Sequence, residues 1–337
     1  MRSVVAVLAI LATVVAAANA SGATSRNHAS AAAAKLPRIA VILPGYTANE
    51  LILDQKNGAQ AAAKALHASL ILTGSNSAED QVKAGQTAIA AKVDAIVYNT
   101  IDAKAFTSVV LAANKAHIPI VCSNSCAAGG KNAAKVTFNY LTMGQLAAKW
   151  LASQLPSSGG TLGIVDGNQA DQTEALIYKG LYAGLKAAGA TPKIIVSPPT
   201  NWDPAAALTV SQNFLTANPN LNALICMHDL IANACQQNMN SMNYPQIPLA
   251  GLGGTCQGIS NMLNGRQKFT VVSFLYRAGY LGVQDAIKIV TGHAPTNLNQ
   301  TAPMIGLTTD QAKSMLSSGK APFGLITKLK KAQAGCK

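Results

Sequence analysis

The chain has 337 residues, of which 49% are hydrophobic and only 12% charged, with a formal net charge of +13. That length and apolar content suit two globular domains and exclude intrinsic disorder. The lysines are scattered, "KLKK" at 328–331 being a local cluster, and no aromatic-interleaved basic stripe appears; the charge reads as a solvated basic surface, with no nucleic-acid partner.

Taken in chain order, the first twenty residues predict a signal peptide: Arg2, an apolar run from Val4 to Ala18, and the small-x-small pattern Ala18-Asn19-Ala20. The run is shorter than the roughly 20 apolar residues a membrane span needs, and no cysteine follows the cleavage site to invite lipid attachment. The expectation is an exported, periplasmic, soluble chain. Residues 21–35, small and polar without periodicity, read as a flexible leader.

From residue 36 a short apolar run, a turn and a longer amphipathic segment repeat. Strands are expected at 38–44, 68–74, 93–99, 118–123 and 134–139, with helices at 50–68, 77–92 and 103–117 between the first four. A Ser77 to Asp80 capping pattern opens the second helix. The cycle restarts with a helix at 140–155, then strands at 159–167, 192–199, 221–229, 247–254 and 268–275, interleaved with helices at 170–189, 203–218 and 229–242, and a last helix at 278–292. Strands bounded by helices at this spacing predict an α/β fold of two Rossmann-like lobes with parallel sheets joined by a hinge. The expected boundaries are 36–138 plus about 275–305 for the N-terminal lobe and 139–274 plus about 306–337 for the C-terminal lobe.

Ligands of open parallel sheets sit beyond the carboxyl ends of the strands. The residues there include Tyr46, Asn49, Asn99, Asn124, Asp171, Trp202, Asp203, His228, Asp229 and Arg277. Trp202, in "SPPTNWDPAAA", is either a platform on which a ligand stacks or a plug over the adjacent helix; Asp203 and Pro204 start that helix, which leaves the ring in the strand-to-helix loop and favours ligand contact. His228 is balanced between a hydrogen-bonded structural role and ligand contact, Asp229 reads as a helix cap, and Arg277 would pair an anionic ligand or bridge the lobes. Trp150 reads as core.

No GxSxG, HExxH, P-loop or Gly-x-Gly-x-x-Gly pattern follows the strands, so no enzyme, cofactor or metal is expected. Cysteine use suits an oxidising compartment. Cys122 and Cys126 enclose a loop short enough to be bridged, and Cys226, Cys235 and Cys256 offer one further pair, with Cys235 and Cys256 the cysteines singled out; Cys336 is near the terminus.

From 38 to 305 the chain resembles the type I periplasmic binding proteins of ribose and galactose type, the solute receptors of ABC importers. The resemblance rests on "RIAVILPGYTANELILDQKNGAQAAAKAL", "DAIVYNTIDAKAFTSVVLAANKAHIPIVCSN", "YKGLYAGLKAAGA", "PTNWDPAAALTVSQNFLTANPNLNALICMHD" and "PLAGLGGT". It implies a monomer that closes on a sugar or sugar-like solute in an interlobe cleft and delivers it to an ABC permease complex in the inner membrane. A sensory receptor docking on a membrane kinase or chemoreceptor is the alternative. Matched by motif, the family's Asn-Pro-aromatic-aromatic is Asn49-Glu50-Leu51-Ile52, its Asp-Arg is Asn124-Ser125, an arginine before the helix glycine is Ile177, its aromatic-Asp is kept as Trp202-Asp203, its Asn-Asp is His228-Asp229, and the aspartate of its Gly-x-Asp-Gly is Gly253. The implied loss of charged hydroxyl clamps points to a ligand less hydroxylated, flatter or more apolar than a pentose.

Overall fold

The structure, a computed structural model, describes residues 36–45, 49–168 and 172–336. The expected signal peptide and leader lie outside the described residues, as do Tyr46 and Asp171.

The first lobe is built on β1 (Arg38–Pro44), α1 (Glu50–Ala65), β2 (Ser69–Ser75), α2 (Ala78–Ala90), β3 (Ala95–Tyr98), α3 (Thr107–Lys115), β4 (Ile120–Ser123) and β5 (Ala134–Thr137). The chain then crosses to α4 (Tyr140–Ala152), β6 (Thr161–Val165), α5 (Gln172–Ala187), β7 (Lys193–Val196), α6 (Pro204–Ala217), β8 (Ala223–Cys226), α7 (Asp229–Ser241), β9 (Leu249–Gly253), α8 (Cys256–Asn264) and β10 (Gln267–Ser273). It returns for α9 (Leu275–Val290) and β11 (Asn299–Thr301), and crosses a third time to β12 (Met304–Thr308), α10 (Thr309–Ser318) and α11 (Leu325–Gln333). The two sheets have orders β11-β5-β4-β3-β1-β2 and β12-β10-β9-β8-β6-β7. All pairings are parallel except β12 against β10.

Local chemistry accounts for these elements. Strand interiors such as β1 and β8 are buried on both faces, which is why they read as unbroken apolar runs and not as alternating ones. Helix starts are capped by side chains that accept backbone N–H groups: Asn49 for α1, Ser77 for α2, Asn139 for α4, Asp203 for α6, His228 for α7 and Thr255 for α8.

Each lobe joins two helices by the same device. A Cβ on Gly58 of α1 would fall 1.9 Å from the Tyr276 carbonyl oxygen, and one on Gly279 of α9 would fall 2.0 Å from that of Gln55. In the second lobe Gly144 of α4 and Gly180 of α5 meet the carbonyls of Ile177 and Leu141, each at 2.0 Å. Backbones this close leave no room for a side chain, so these glycines set the helix separation.

In both sheets the chain departs from the first strand in opposite directions, so the switch points are β1/β3 and β6/β8. The crevices beyond those strand ends are where a ligand of such a sheet is held.

Cys122 and Cys126 are disulfide-bonded across the loop after β4. The second bridge corrects the expectation for Cys235 and Cys256: Cys256, at the start of α8, joins Cys336 beyond α11, because α11 folds back along α8 and brings the terminus to it. Cys235 instead faces Cys226 as a buried thiol, with the sulfurs 2.8 Å apart. Among the described residues no helix is long and apolar enough to cross a membrane, and no cluster of His, Cys, Asp and Glu could hold a metal ion.

Candidate functional site

The first lobe presents a wall of amides. Asn99, at the end of β3, is 2% exposed. Its Nδ2 donates to Gln55 Oε1 at 2.8 Å, and its Oδ1 accepts from Ser125 N at 3.2 Å and from Asn124 Nδ2 at 3.4 Å. Gln55 in turn donates to Ser123 O and Oγ at 2.8 and 3.0 Å. The loop carrying Asn124 is clipped by the Cys122–Cys126 bridge, and Asn124 sits at φ 94°, a conformation that asparagine tolerates better than most residues. The Tyr140 hydroxyl donates to Asn124 Oδ1. Tyr140 opens α4, immediately after the first crossing, and packs against the cores of both lobes. Asn49 caps α1, its Oδ1 occupied by the N–H groups of Leu51 (3.0 Å) and Ile52 (3.4 Å), which leaves its amide N–H groups to donate.

The second lobe contributes an indole and an imidazole over a buried acid pair. Trp202 follows Asn201, and both have positive φ (62° and 52°), a strained pair for residues with side chains. The turn is held by Thr200 N and Oγ1 donating to Asp166 O and by Asn201 N donating to Gly167 O. The ring lies directly over Gly167, where a Cβ would fall 2.2 Å from it, and its edge meets His228 with centroids 6.2 Å apart at 74°. His228 Nδ1 accepts the Leu230 N–H at 3.1 Å, so the neutral ring carries its hydrogen on Nε2. Burial lowers its pKa to about 4, and it is neutral at physiological pH.

Beneath Trp202, Asp166 is fully buried and accepts from the Tyr178 hydroxyl at 2.7 Å. Glu174, also fully buried, accepts the N–H groups of Gly167 (2.9 Å) and Asn168. Burial first, and Asp166 after it, push the Glu174 pKa well up. A proton retained on Glu174 accounts for two carboxyl groups buried side by side, and among the described residues Asp166 Oδ2 has no other donor.

The walls meet through α1. A Cβ on Gly253, at φ 117°, would lie 3.0 Å from Leu51 Cδ1 and 3.4 Å from His228 Nε2, so Leu51 of the first lobe closes onto Gly253 and His228 of the second. Nearby, Glu50 accepts the Cys256 N–H at the start of α8 through both oxygens, at 2.9 and 2.8 Å. Asp229 anchors the turn that carries Gly253. It is buried, with a pKa raised to about 6 by that burial, and it accepts from Thr255 N, Gln267 Nε2 and Thr270 Oγ1.

The structure therefore brings Asn124 to Asn99 and Tyr140 on the first lobe and Trp202 to His228 on the second, with Leu51, two residues after Asn49, against Gly253 between the lobes. Two expected residues stand apart. Asp203 is exposed and its Oδ1 is engaged by Ala206 N at 2.7 Å as the cap of α6. Arg277 is exposed on the first turn of α9, with its guanidinium 5.8 Å from the Tyr280 ring centre, and lines a different cavity. Ile177 is buried in the core of the second lobe, and its backbone carbonyl meets Gly144 of α4. Sequence reasoning missed Tyr140, Glu174 and Asp166. Only Asp166 carried a signal, as a carboxylate ending an apolar strand.

The periplasmic binding protein domain family matches residues 39–294. The chain is 25% identical over 247 residues to the ribose import binding protein of Escherichia coli, covering 72% of this chain and 82% of that one. It is 28% identical over 273 residues to the D-ribose/D-allose-binding protein of Pseudomonas aeruginosa, covering 77% and 84%. In fold it is similar to an ABC transporter periplasmic solute binding protein from Actinobacillus succinogenes with bound D-allose, at a TM-score of 0.76 and 24% identity over 82% of this chain and 99% of that one. With the family matched over most of its length, and the two-lobed architecture with it, this chain belongs to the periplasmic binding proteins.

Proposed function

We propose that the protein is an exported solute receptor that captures a neutral, hydroxylated small molecule of the monosaccharide class between its lobes and delivers it to an ABC permease. The carrying observation is the pairing of a neutral amide and phenol wall (Asn99, Asn124, Tyr140) with an indole and an imidazole held neutral (Trp202, His228). Amides offer both donors and acceptors, which suits hydroxyl groups, and an indole suits the apolar face of a sugar ring. Among the described residues the group includes no cation to neutralise an acidic ligand, Arg277 lining another cavity. Kinship with ribose and allose receptors supports the sugar class.

Calorimetric titration of residues 21–337 against aldoses, polyols, sugar acids and aromatic acids tests the reading. A neutral sugar or polyol is expected to bind, changing tryptophan emission, with Trp202→Ala weakening it about tenfold or more. Tight binding of sugar acids with no response to any neutral sugar or polyol would refute it.

A further inference from the structure

A cavity of about 590 Å³, whose lining includes neither Trp202 nor His228, lies between α1, the crossing from β10 to α9, and α11. That volume is typical of a small-molecule site. Its third wall is built by the segment after β12, which lies beyond the residues matched by the family. Leu325, Leu329 and Ala332 of α11 are buried with Ile259 and Met262 of α8, and the Cys256–Cys336 bridge pins the end, so α11 belongs to the second lobe. α1 belongs to the first lobe, so an occupant would touch both.

The cavity lining has two parts. One is apolar: Leu53, Tyr276 and Phe323 are 37%, 47% and 61% exposed, and Phe274 meets Phe323 with the rings tilted at 59° and their centroids 5.0 Å apart. Three large exposed apolar side chains gathered on one concavity form a patch of the kind that marks a ligand or partner site. Phe323 is presented at φ 50°, a strained conformation for an aromatic residue.

The other part is charged, and its charges are unequally satisfied. Asp54 takes Lys328 Nζ at 2.6 Å, and Glu50 takes the same ammonium at 3.7 Å together with the Cys256 N–H. Arg277 and Lys331 also line the cavity, and among the described residues neither pairs with a carboxylate. Lys328 is shared by the two acids, so the lining as a whole sets three cations against two carboxylates, an excess of one positive charge, and the cations without a carboxylate partner, Arg277 and Lys331, stand beside an apolar wall.

We propose that this cavity is a second ligand site, specific for a small amphipathic carboxylate such as an aryl-alkanoate or a medium-chain fatty acid. The apolar body fills the space between Leu53, Phe274, Tyr276 and Phe323, and the carboxylate faces Arg277 and Lys331. Because its walls come from both lobes, the occupant favours the closed arrangement and strengthens capture in the cleft.

The test titrates residues 21–337 with 3-phenylpropionate and octanoate, and with the matching alcohols, by calorimetry at low salt. Saturable binding of a carboxylate is expected, about tenfold weaker for the alcohol and about tenfold weaker again for the Arg277→Ala/Lys331→Ala double variant, whose positions are exposed. Phe323→Ala should weaken both carboxylate and alcohol, and Trp202→Ala should change neither. The proposal is overturned by no saturable binding at millimolar concentrations, by equal affinity for acid and alcohol, or by loss with Trp202→Ala but not with the cationic double variant. Arg277, Lys331 and Phe323 are not among the residues assigned to the cleft, so the sugar reading stands or falls separately.

Discussion

His228 couples the cleft to pH, and the size of the effect follows from its surroundings. Its pKa falls from 6.5 unfolded to about 4 folded because burial penalises the imidazolium. Between those values the unfolded chain binds a proton that the folded chain refuses, so this contribution to stability is full above pH 6.5 and is lost as the pH falls to 4. At 1.36 kcal/mol per unit the span is worth about 3 kcal/mol, and the partly open ring reduces that to about 2–3 kcal/mol. Its neighbour works against it. Asp229, raised from 3.8 to about 6, holds a proton in the folded state, so its contribution is full below pH 3.8 and is lost as the pH rises to 6. The two slopes largely cancel between pH 4 and 6. His228→Asn keeps an acceptor for the Leu230 N–H and removes the titration. Urea unfolding at several pH values should show the variant gaining about 2–3 kcal/mol on the parent between pH 7 and pH 4. Parallel profiles for the two proteins would refute the neutral, buried assignment and with it the description of the cleft as uncharged.

Other consequences are as direct. Lys328→Met keeps the aliphatic stem and removes the interlobe pairing with Asp54 and Glu50; it should cost about 1 kcal/mol and increase the ligand-free radius of gyration in solution scattering. Gly180→Ala forces a methyl group to within 2.0 Å of the Leu141 carbonyl, so the α4–α5 pair must separate, at about 1–3 kcal/mol by denaturant unfolding, with no change at the Cys122–Cys126 clip. The Cys256–Cys336 bridge spans 80 residues, and Cys336→Ser should lower stability by up to about 4 kcal/mol on chain-entropy grounds, measured against the parent under oxidising conditions.

Periodicity made the two α/β halves legible, because strands buried on both faces and helices with capped starts leave strong local patterns. The strand ends then located Asn99, Asn124, Trp202 and His228 without knowledge of tertiary packing. What stayed hidden depends on phase and distance. The close contact of α4 and α5 at Gly144 and Gly180 is a matter of helix rotation that sequence spacing does not contain. The partner of Cys256 lies 80 residues away, and the acid pair of Asp166 and Glu174 becomes a pair only when α5 folds back over the end of β6. The segment 309–333 lies beyond the strand-helix rhythm that organised the rest. Its helix α11 carries the spacing Leu325, Leu329, Ala332, a half-buried stripe whose target, α8, no local signal identifies.

Trp202 brings local and distant reasons together. Its loop could be read from the prolines and the Asp203 cap, and the geometry shows a ring that packs on the core from one side while its edge meets His228. The ring rests on Gly167 and packs with both cores of the second lobe, and that support offsets two consecutive positive φ values costing about 1–3 kcal/mol each. A ring needed only to fill space could be delivered by a relaxed backbone. The strained turn places it edge-on to a neutral His228, beside the Leu51–Gly253 contact between the lobes, and a Trp202→Ala variant that binds a sugar as tightly as the parent would show that the strain serves the core alone.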